Sequence, residues 1–179
     1  MKPLRRKILF FHIFGAIFTV FLGSLLHFIY ELSGFFKPMA IIGAVNESTW
    51  EHLKIAFWPA FIFAIIEFLV YGKKQKNFYF AKVKEFYIIP ILIIAFFYSY
   101  TVFIEHNLFL DIFIFVLAII IGYMVSYKIL FWQKDFSKYR ILSVGLIILL
   151  VIAFSLFSYF PIENFLFLDP MTSLYGIIK

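Results

Sequence analysis

The chain contains no cysteine, and charged residues make up only 15% of its 179 positions. The lack of cysteine excludes a disulfide framework and any thiolate metal site. A soluble domain usually has about a quarter of its residues charged. The scarcity of charge therefore excludes an ordinary water-soluble surface, and a hydrophobic content of 64% predicts that lipid is the solvent.

Apolar windows long enough to cross a bilayer, which takes about 20 residues, occur five times. They lie near residues 8–30, 49–71, 86–104, 108–127 and 141–160. The first is too long for the apolar region of a cleaved signal peptide. We therefore predict an all-α fold, a single domain over residues 1–179 with about five transmembrane helices and an outer-face tail at 161–179. A further apolar stretch, Phe35–Val45, is too short to span and either lies at the interface or re-enters.

Lysine and arginine are distributed unevenly between the two sides that these helices define. With the N-terminus in the cytoplasm, 13 of the 16 basic residues fall on the cytoplasmic side, and only Lys37, Lys54 and Lys179 fall outside. Because cytoplasmic loops are enriched in basic residues, we predict a multi-pass cell-membrane protein with the N-terminus inside and the C-terminus outside. Contact with anionic headgroups accounts for the net charge of +6, so the expected partners are membrane lipids, not nucleic acid.

Acidic residues and histidines collect on the predicted outer side, which receives seven of the ten acids and three of the four histidines. The first helix delivers His27 and Glu31, which share a face because they are four residues apart. The second helix opens with a polar segment that contains Glu47, Glu51 and His52. Other candidate residues on this side are Asn46, Ser48, Trp50, His106, Asp111 and Asp169.

These side chains suggest a metal site, since histidine and carboxylate ligands suit Zn, Mn or Fe. The expected ligands of a divalent metal such as Zn are His27, Glu31, Glu51 and His52. Glu47 would then be the general base for a metal-bound water that attacks an ester or amide. The depth near the headgroups favours a hydrolase or transferase acting on a lipid-linked substrate. No H-E-x-x-H or other diagnostic metal motif is present.

Structural roles explain the same residues one at a time. Ser48 and Glu51 fit a capping box at the start of the second helix. Trp50 is typical of an interfacial aromatic belt, and Lys54 of a residue that faces headgroups. Glu67 lies near enough to the Lys73–Lys74 pair to form an ion pair with it. None of these roles predicts so many carboxylates and imidazoles in one layer.

Two other classes of function remain open. In one, the outer acids form the vestibule of a small transporter or ion-conducting protein. Its weakness is the scarcity of polar groups at mid-depth. In the other, the chain is an accessory subunit or scaffold without catalysis, and the outer residues contact a membrane partner subunit or a second copy in a homo-oligomer.

The segment Asn46–Lys54 resembles the N-E-S-x-W-E-H-x-K signature of a family of small bacterial polytopic membrane proteins of unknown function. The His27-x-x-Tyr30-Glu31 element looks similar too, as does, more loosely, the tail element that begins Leu168-Asp169-Pro170. The resemblance implies a membrane fold and gives the signature residues weight as a group, but it implies no reaction. A tail folded back over the outer mouth of the bundle would explain its acids and proline.

Overall fold

The computed structural model describes the backbone of residues 2–177 and shows an all-helical chain. The five α-helices are α1 (Lys2–Leu32), α2 (Thr49–Val70), α3 (Phe78–Thr101), α4 (Leu108–Leu130) and α5 (Arg140–Leu156). Three short 3₁₀ helices lie between them, at Lys37–Ile41, Gly72–Lys74 and Ser137–Tyr139. Within the described residues the only β-pairing is one isolated bridge in the tail, between Leu168 and Tyr175.

The helices have the length and composition of membrane spans. Four segments of the described chain are long and apolar enough to cross a membrane: α1, α2, α4, and α5 together with the 3₁₀ turn before it. At about 1.5 Å per residue the 22 residues of α2 extend about 33 Å, close to the thickness of a hydrocarbon core. Large apolar side chains such as Phe21 (73% exposed) and Ile141 (87%) face outward, as lipid-facing residues do. The predicted integral membrane bundle of five helices is confirmed.

The third helix begins earlier than the sequence predicts. α3 starts at Phe78, although its apolar window opens only at Phe86. Its first two turns contain Lys82 and Glu85, which lie before the predicted window at 86–104 and therefore in the predicted loop. Both side chains are buried in the bundle, so their charges do not mark a loop.

Helices α1 to α4 form the body of the bundle. α3 packs on α4, α1 packs on both α2 and α4, α2 also packs on α3, and α5 lies against α3. Close approach depends on glycine at two points. A Cβ built on Gly15 of α1 would lie 2.6 Å from the Phe63 ring, and one on Gly122 of α4 would lie 2.4 Å from Ile89 Cγ1.

An apolar core fills the middle of this body. It includes Phe57 and Phe63 of α2, Phe86 of α3, Ile119 of α4 and Phe154 of α5, all at most 2% exposed. Two prolines, in α2 and α3, lie inside their helices without ending them. Such prolines are tolerated in a bundle because neighbouring helices help to satisfy the backbone groups that a proline leaves without a hydrogen bond.

Successive helices run in opposite directions and give the bundle two chemically different ends. At one end Arg5 lies 5.0 Å from the Phe131 ring, and Lys76 Nζ lies 3.6 Å from Asp135 Oδ2. This end, formed by the N-terminus and the loops at 71–77 and 131–139, is called the basic end. The opposite end, formed by residues 33–48, the turn at 102–107 and the tail at 157–177, is called the acidic end.

The short apolar stretch Phe35–Val45 does not form a span. It folds into the 3₁₀ helix Lys37–Ile41, which packs against α1 and α5 and buries Ala40. The turn that leads into it has two residues with positive φ, Gly34 (70°) and Phe35 (62°). The segment thus forms a shallow cover at the acidic end.

Candidate metal site at the acidic end

A tight turn leads into α2 and positions the polar segment that begins at Asn46. Asn46 Oδ1 accepts a hydrogen bond from Ser48 N at 2.9 Å, while its Nδ2 donates to Gly176 O in the tail at 2.9 Å. Ser48 is the N-cap residue of α2, but its hydroxyl makes no capping hydrogen bond. The predicted capping box of Ser48 and Glu51 is therefore wrong: Asn46 occupies the Ser48 amide that Glu51 would have reached.

Glu51 forms a buried ion pair instead. Glu51 (1% exposed) and Lys54 (0%) lie 2.5 Å apart, Oε2 to Nζ. Ser158 of the tail donates to Glu51 Oε1 at 2.6 Å, and Val45 N donates to Glu51 Oε2 at 3.1 Å. Lys54 Nζ also donates to Ala40 O at 2.8 Å and to Ser158 Oγ at 2.7 Å.

This network corrects two expectations from the sequence. Lys54 does not face headgroups, because it is enclosed between α2, the 3₁₀ helix and the tail. Both carboxylate oxygens of Glu51 are engaged, so the structure places Glu51 apart from the residues that could share a metal. The pair connects α2 to the two irregular segments that cover the acidic end.

Three other side chains converge on a single point. His27 Nε2 of α1 lies 3.3 Å from His52 Nε2 of α2 and 3.5 Å from Glu47 Oε2. The remaining distance, from His52 Nε2 to Glu47 Oε2, is 3.8 Å. Three ligands bound about 2.0–2.1 Å from a tetrahedral Zn²⁺ lie roughly 3.3–3.4 Å from one another. The three atoms therefore have nearly the spacing of a zinc ligand set, and one metal could contact all three.

The local hydrogen bonds favour a ligand role for His52. Its Nδ1 lies 2.9 Å from Ser48 O, a carbonyl that can only accept, so Nδ1 carries the proton and Nε2 presents its lone pair to the cluster. Metal-bound histidines are commonly oriented in this way. His27 lacks the corresponding support, because its buried Nδ1 has no hydrogen-bond partner in the described chain.

Glu47 is ready to bind a cation. A hydrogen bond from His27 is the largest influence and lowers the pKa of the Glu47 carboxyl below its ordinary value, although partial burial acts in the opposite direction. Nearby His27, His52 and His106 add electrostatic contributions of the same sign as the hydrogen bond. The carboxyl is therefore ionised at neutral pH. The sequence suggests Glu47 as the general base, whereas in the structure its Oε2 is one of the three converging atoms.

A cavity of about 260 Å³ opens beside His27 and Glu47. Glu31, one of the five carboxylates and imidazoles that the sequence proposes as ligands or base, lines this cavity and lies outside the converging trio. The complete lining consists of His27, Phe28, Tyr30, Glu31, Phe35, Ala44, Val45, Asn46, Glu47, Asp169 and Thr172. Within the part of the chain that the structure describes, it contains acidic, aromatic and small side chains and no lysine or arginine.

The tail folds over the acidic end, as the sequence suggests. Leu166 O accepts a hydrogen bond from Trp50 N at 2.8 Å, and the Phe167 ring stacks on Trp50 at 4.6 Å. Trp50 is half-buried and also packs against Phe154 of α5 and Phe157 of the tail. Asp169 is 3% exposed and accepts hydrogen bonds within its own turn, from Met171 N and Thr172 Oγ1, so both of its oxygens are occupied.

A second polar group at this end is separate from the trio. His106 Nε2 lies 2.9 Å from Asp111 Oδ2, and Asp111 Oδ1 accepts a short hydrogen bond from Tyr100. Asn107 Oδ1 caps α4 by accepting from the first two amides after Leu108. His106 and Asp111 therefore join the ends of α3 and α4, and each is exposed or only partly buried.

The sequence did not identify the residues that form the buried ion pairs. Lys54 and Ser158 complete the pair with Glu51, and the only local signal is the three-residue spacing from Glu51 to Lys54. Near the basic end, Lys82 pairs with both Glu67 and Glu85, so Glu67 does not pair with the lysines of the Gly72–Lys74 turn. Lys82 and Glu85 are also three residues apart. Because both lie before the predicted start of the third helix at residue 86, the sequence does not indicate that they share a helix face.

The fold and this site define an integral membrane bundle with a polar cavity at one end. A family model matches residues 5–177, and the chain belongs to that family, DUF6512, a family of unknown function. Comparison with curated proteins finds no match, and comparison with solved structures finds none either.

Proposed function

We propose that this protein is a metal-dependent membrane enzyme whose metal is held by His27, Glu47 and His52. The single observation that supports this most strongly is the convergence of the three ligand atoms, at 3.3, 3.5 and 3.8 Å from one another. Two imidazoles and one carboxylate suit Zn²⁺ and related divalent metals. Glu47 replaces Glu51 in the ligand set that the sequence suggests, because Glu51 is committed to Lys54.

A three-ligand set leaves one coordination position for water or substrate. Zinc sites of this kind are typically catalytic, since the metal lowers the pKa of its water to about 7 and polarises a carbonyl. The neighbouring cavity supplies room for a substrate group. Glu31 lines that cavity, and its carboxylate makes no ion pair among the described residues, so we assign it the transfer of protons to and from the water.

The cavity favours a carbonyl substrate over a phosphate. Glu31 and Asp169 add negative charge to that of Glu47, and no lysine or arginine among the described residues lines the space. A phosphate would therefore meet net repulsion from these carboxylates beyond its contact with the metal. The aromatic rings of Phe28 and Phe35 suit an acyl chain, and Phe28 is 56% exposed on the lipid-facing surface. We therefore propose hydrolysis or transfer at an ester or amide of a lipid-borne substrate.

The membrane orientation belongs to the same proposal. The basic end carries the three lysine- and arginine-rich segments, and the acidic end carries the trio and the tail. Since basic residues favour the cytoplasmic side, we propose a cell-membrane protein whose metal site faces outward. Cysteine labelling with a membrane-impermeant reagent tests this: Glu163→Cys should react in intact cells, and Lys138→Cys only after permeabilisation. The reverse pattern would contradict the orientation.

The function is tested by metal content and hydrolysis together. Purified full-length protein should retain about one Zn²⁺ or Mn²⁺ per chain and release fatty acid from ester- or amide-linked lipid vesicles. Glu47→Gln and His52→Ala should lose both metal and activity. His106→Ala is the matched control, since that imidazole pairs with Asp111 outside the trio, and it should retain both.

Each possible failure has a different meaning. Metal retained by Glu47→Gln and His52→Ala would exclude the proposed site. Metal bound by the wild type without release of acyl groups, across ester and amide lipids, would exclude the carbonyl substrate and leave a metal site without this chemistry.

Ion conduction is a second candidate, and one observation favours it. Glu67, Lys82 and Glu85 place charge inside the bundle near the basic end. Between this group and the acidic end lies the apolar core that contains Phe57 and Phe86, which offers no polar path within the described chain. Flux through proteoliposomes that falls in both Glu67→Gln and Glu47→Gln would support conduction, and flux equal to that of empty liposomes would reject it.

A further inference from the structure

Buried ionisable side chains form a second group, near the basic end and apart from the proposed metal site. Glu67 of α2 and Glu85 of α3 are 0% exposed, and Lys82 of α3 is 1% exposed. Lys82 Nζ forms a close ion pair with Glu67 Oε2 and lies 2.7 Å from Glu85 Oε2. One ammonium group therefore faces two carboxyl groups in a place from which water is excluded.

The described residues of the surrounding helices supply no second positive charge. On α1, His12 Nδ1 lies 3.0 Å from Ile8 O and 3.4 Å from Glu67 Oε1. The carbonyl can only accept, so Nδ1 carries the proton, and no described residue lies where it could accept a second proton from the buried Nε2. The His12 imidazole is therefore neutral.

The tyrosines and the serine around the group are neutral as well. Tyr71, the residue that follows α2, donates to Glu67 Oε1 at 2.5 Å. From α4, the Tyr123 ring faces Lys82 at 5.1 Å, and its hydroxyl bonds to Thr19 Oγ1 at 2.9 Å. Ser126, also on α4, faces Glu85.

Charge balance sets the protonation of this group. With both carboxyls ionised, the site would hold a net charge of −1 without a counterion in a dry interior. An unpaired buried charge is strongly unfavourable, and two carboxyls that share a site ordinarily keep one proton between them. A single added proton makes the group neutral.

The hydrogen-bond pattern indicates which carboxyl carries the proton. Both oxygens of Glu67 already face donors, because Tyr71 donates to Oε1 and Lys82 forms the ion pair with Oε2. Glu85 Oε2 is paired with Lys82, and the Ser126 hydroxyl, which can accept as well as donate, faces Glu85. A proton on Glu85 Oε1 would therefore have Ser126 Oγ as its acceptor, and Glu67 would stay the ionised partner of Lys82.

We propose that this group is a binding site for one proton, carried by Glu85 on Oε1. Lys82 and Glu85 lie in the first two turns of α3, which begins at Phe78 at the basic end. The apolar core separates the site from the acidic end. The proton therefore exchanges with the basic end of the bundle, and the site is independent of the proposed metal chemistry.

Infrared spectroscopy of the purified full-length protein counts the protonated carboxyls. In sodium-free buffer at neutral pH, the wild type should show one carbonyl band of a protonated carboxylic acid. Both Glu85→Gln and Glu67→Gln should lose it, because each leaves one carboxylate for one ammonium. Glu163→Gln, which changes an exposed tail residue, is the control and should keep the band.

Further outcomes test which residue carries the proton and whether the site binds a proton at all. Ser126→Ala, a small change that leaves the ion pairs intact, should shift the band because the acid loses its acceptor. An unshifted band would overturn the assignment to Glu85. Absence of the band in the wild type, or its persistence in both glutamine variants, would overturn the proton site. Loss of the band on addition of Na⁺ would do the same and assign the site to a metal cation.

Discussion

The ion pair between Glu51 and Lys54 should be the most sensitive point of the acidic end. Lys54→Met keeps the length and apolar stem of the side chain but removes the ammonium that lies 2.5 Å from the Glu51 carboxylate. The carboxylate would keep its bonds from Ser158 and Val45. Removing one partner of a buried pair costs about 3–5 kcal/mol, because the other charge stays buried without compensation. The folding equilibrium constant should therefore fall by a factor of roughly 100 to 5,000.

Reversible unfolding in mixed detergent micelles measures this effect. Lys76→Met is the matched control, since Lys76 is 80% exposed and its partner Asp135 lies 3.6 Å away on the surface. That variant should unfold like the wild type. The double variant Glu51→Gln/Lys54→Met should recover much of the loss, because it removes both charges and keeps an amide for Ser158. A Lys54→Met protein as stable as Lys76→Met, or a double variant no better than Lys54→Met, would refute the reasoning.

Three further predictions concern packing, pH and the tail. Gly122→Ala should destabilise the bundle by about 1–3 kcal/mol, because its Cβ would meet Ile89, whereas Gly145→Ala in α5 has nothing within 4 Å and should leave stability equal or slightly higher in the same unfolding assay. Metal affinity should fall in acid, because protons compete with the metal for the imidazole nitrogens, while the lowered pKa of Glu47 keeps its carboxylate ionised. Isothermal titration at several pH values would show no such fall if the imidazoles were not ligands. Asn46→Ala should release the tail at Gly176 and speed its cleavage by added protease, and an unchanged cleavage rate would show that this hydrogen bond does not hold the tail.

The sequence predicts the architecture because membrane spans depend on composition along one dimension. Long apolar runs identify the helices, and most helix ends fall where polar residues resume. α1 and α3 are exceptions, because they begin at Lys2 and Phe78, ahead of their apolar windows. The first two turns of α3 contain Lys82 and Glu85, whose charges indicate a loop until their burial against α2 and α4 is known.

The candidate site can be predicted only in part from the sequence, because tertiary position again decides the role of each charged residue. The sequence brings His27, Glu47 and His52 to one level, but it does not tell which carboxylate completes the trio. Glu51 is a turn away from Glu47 and chemically identical to it. Only the tertiary positions of Lys54 and Ser158, the latter 104 positions further along the chain, assign Glu51 to an ion pair.

X-ray absorption at the zinc edge, on the purified protein loaded with one equivalent of Zn²⁺, tests the central claim most directly. The account predicts a first shell of nitrogen and oxygen at about 2.0–2.1 Å, with scattering from two imidazoles. His52→Ala should reduce this to one imidazole or lose the metal, and His106→Ala should leave the spectrum unchanged. A spectrum without imidazole scattering, or one that His52→Ala does not alter, would contradict a metal site at His27, Glu47 and His52.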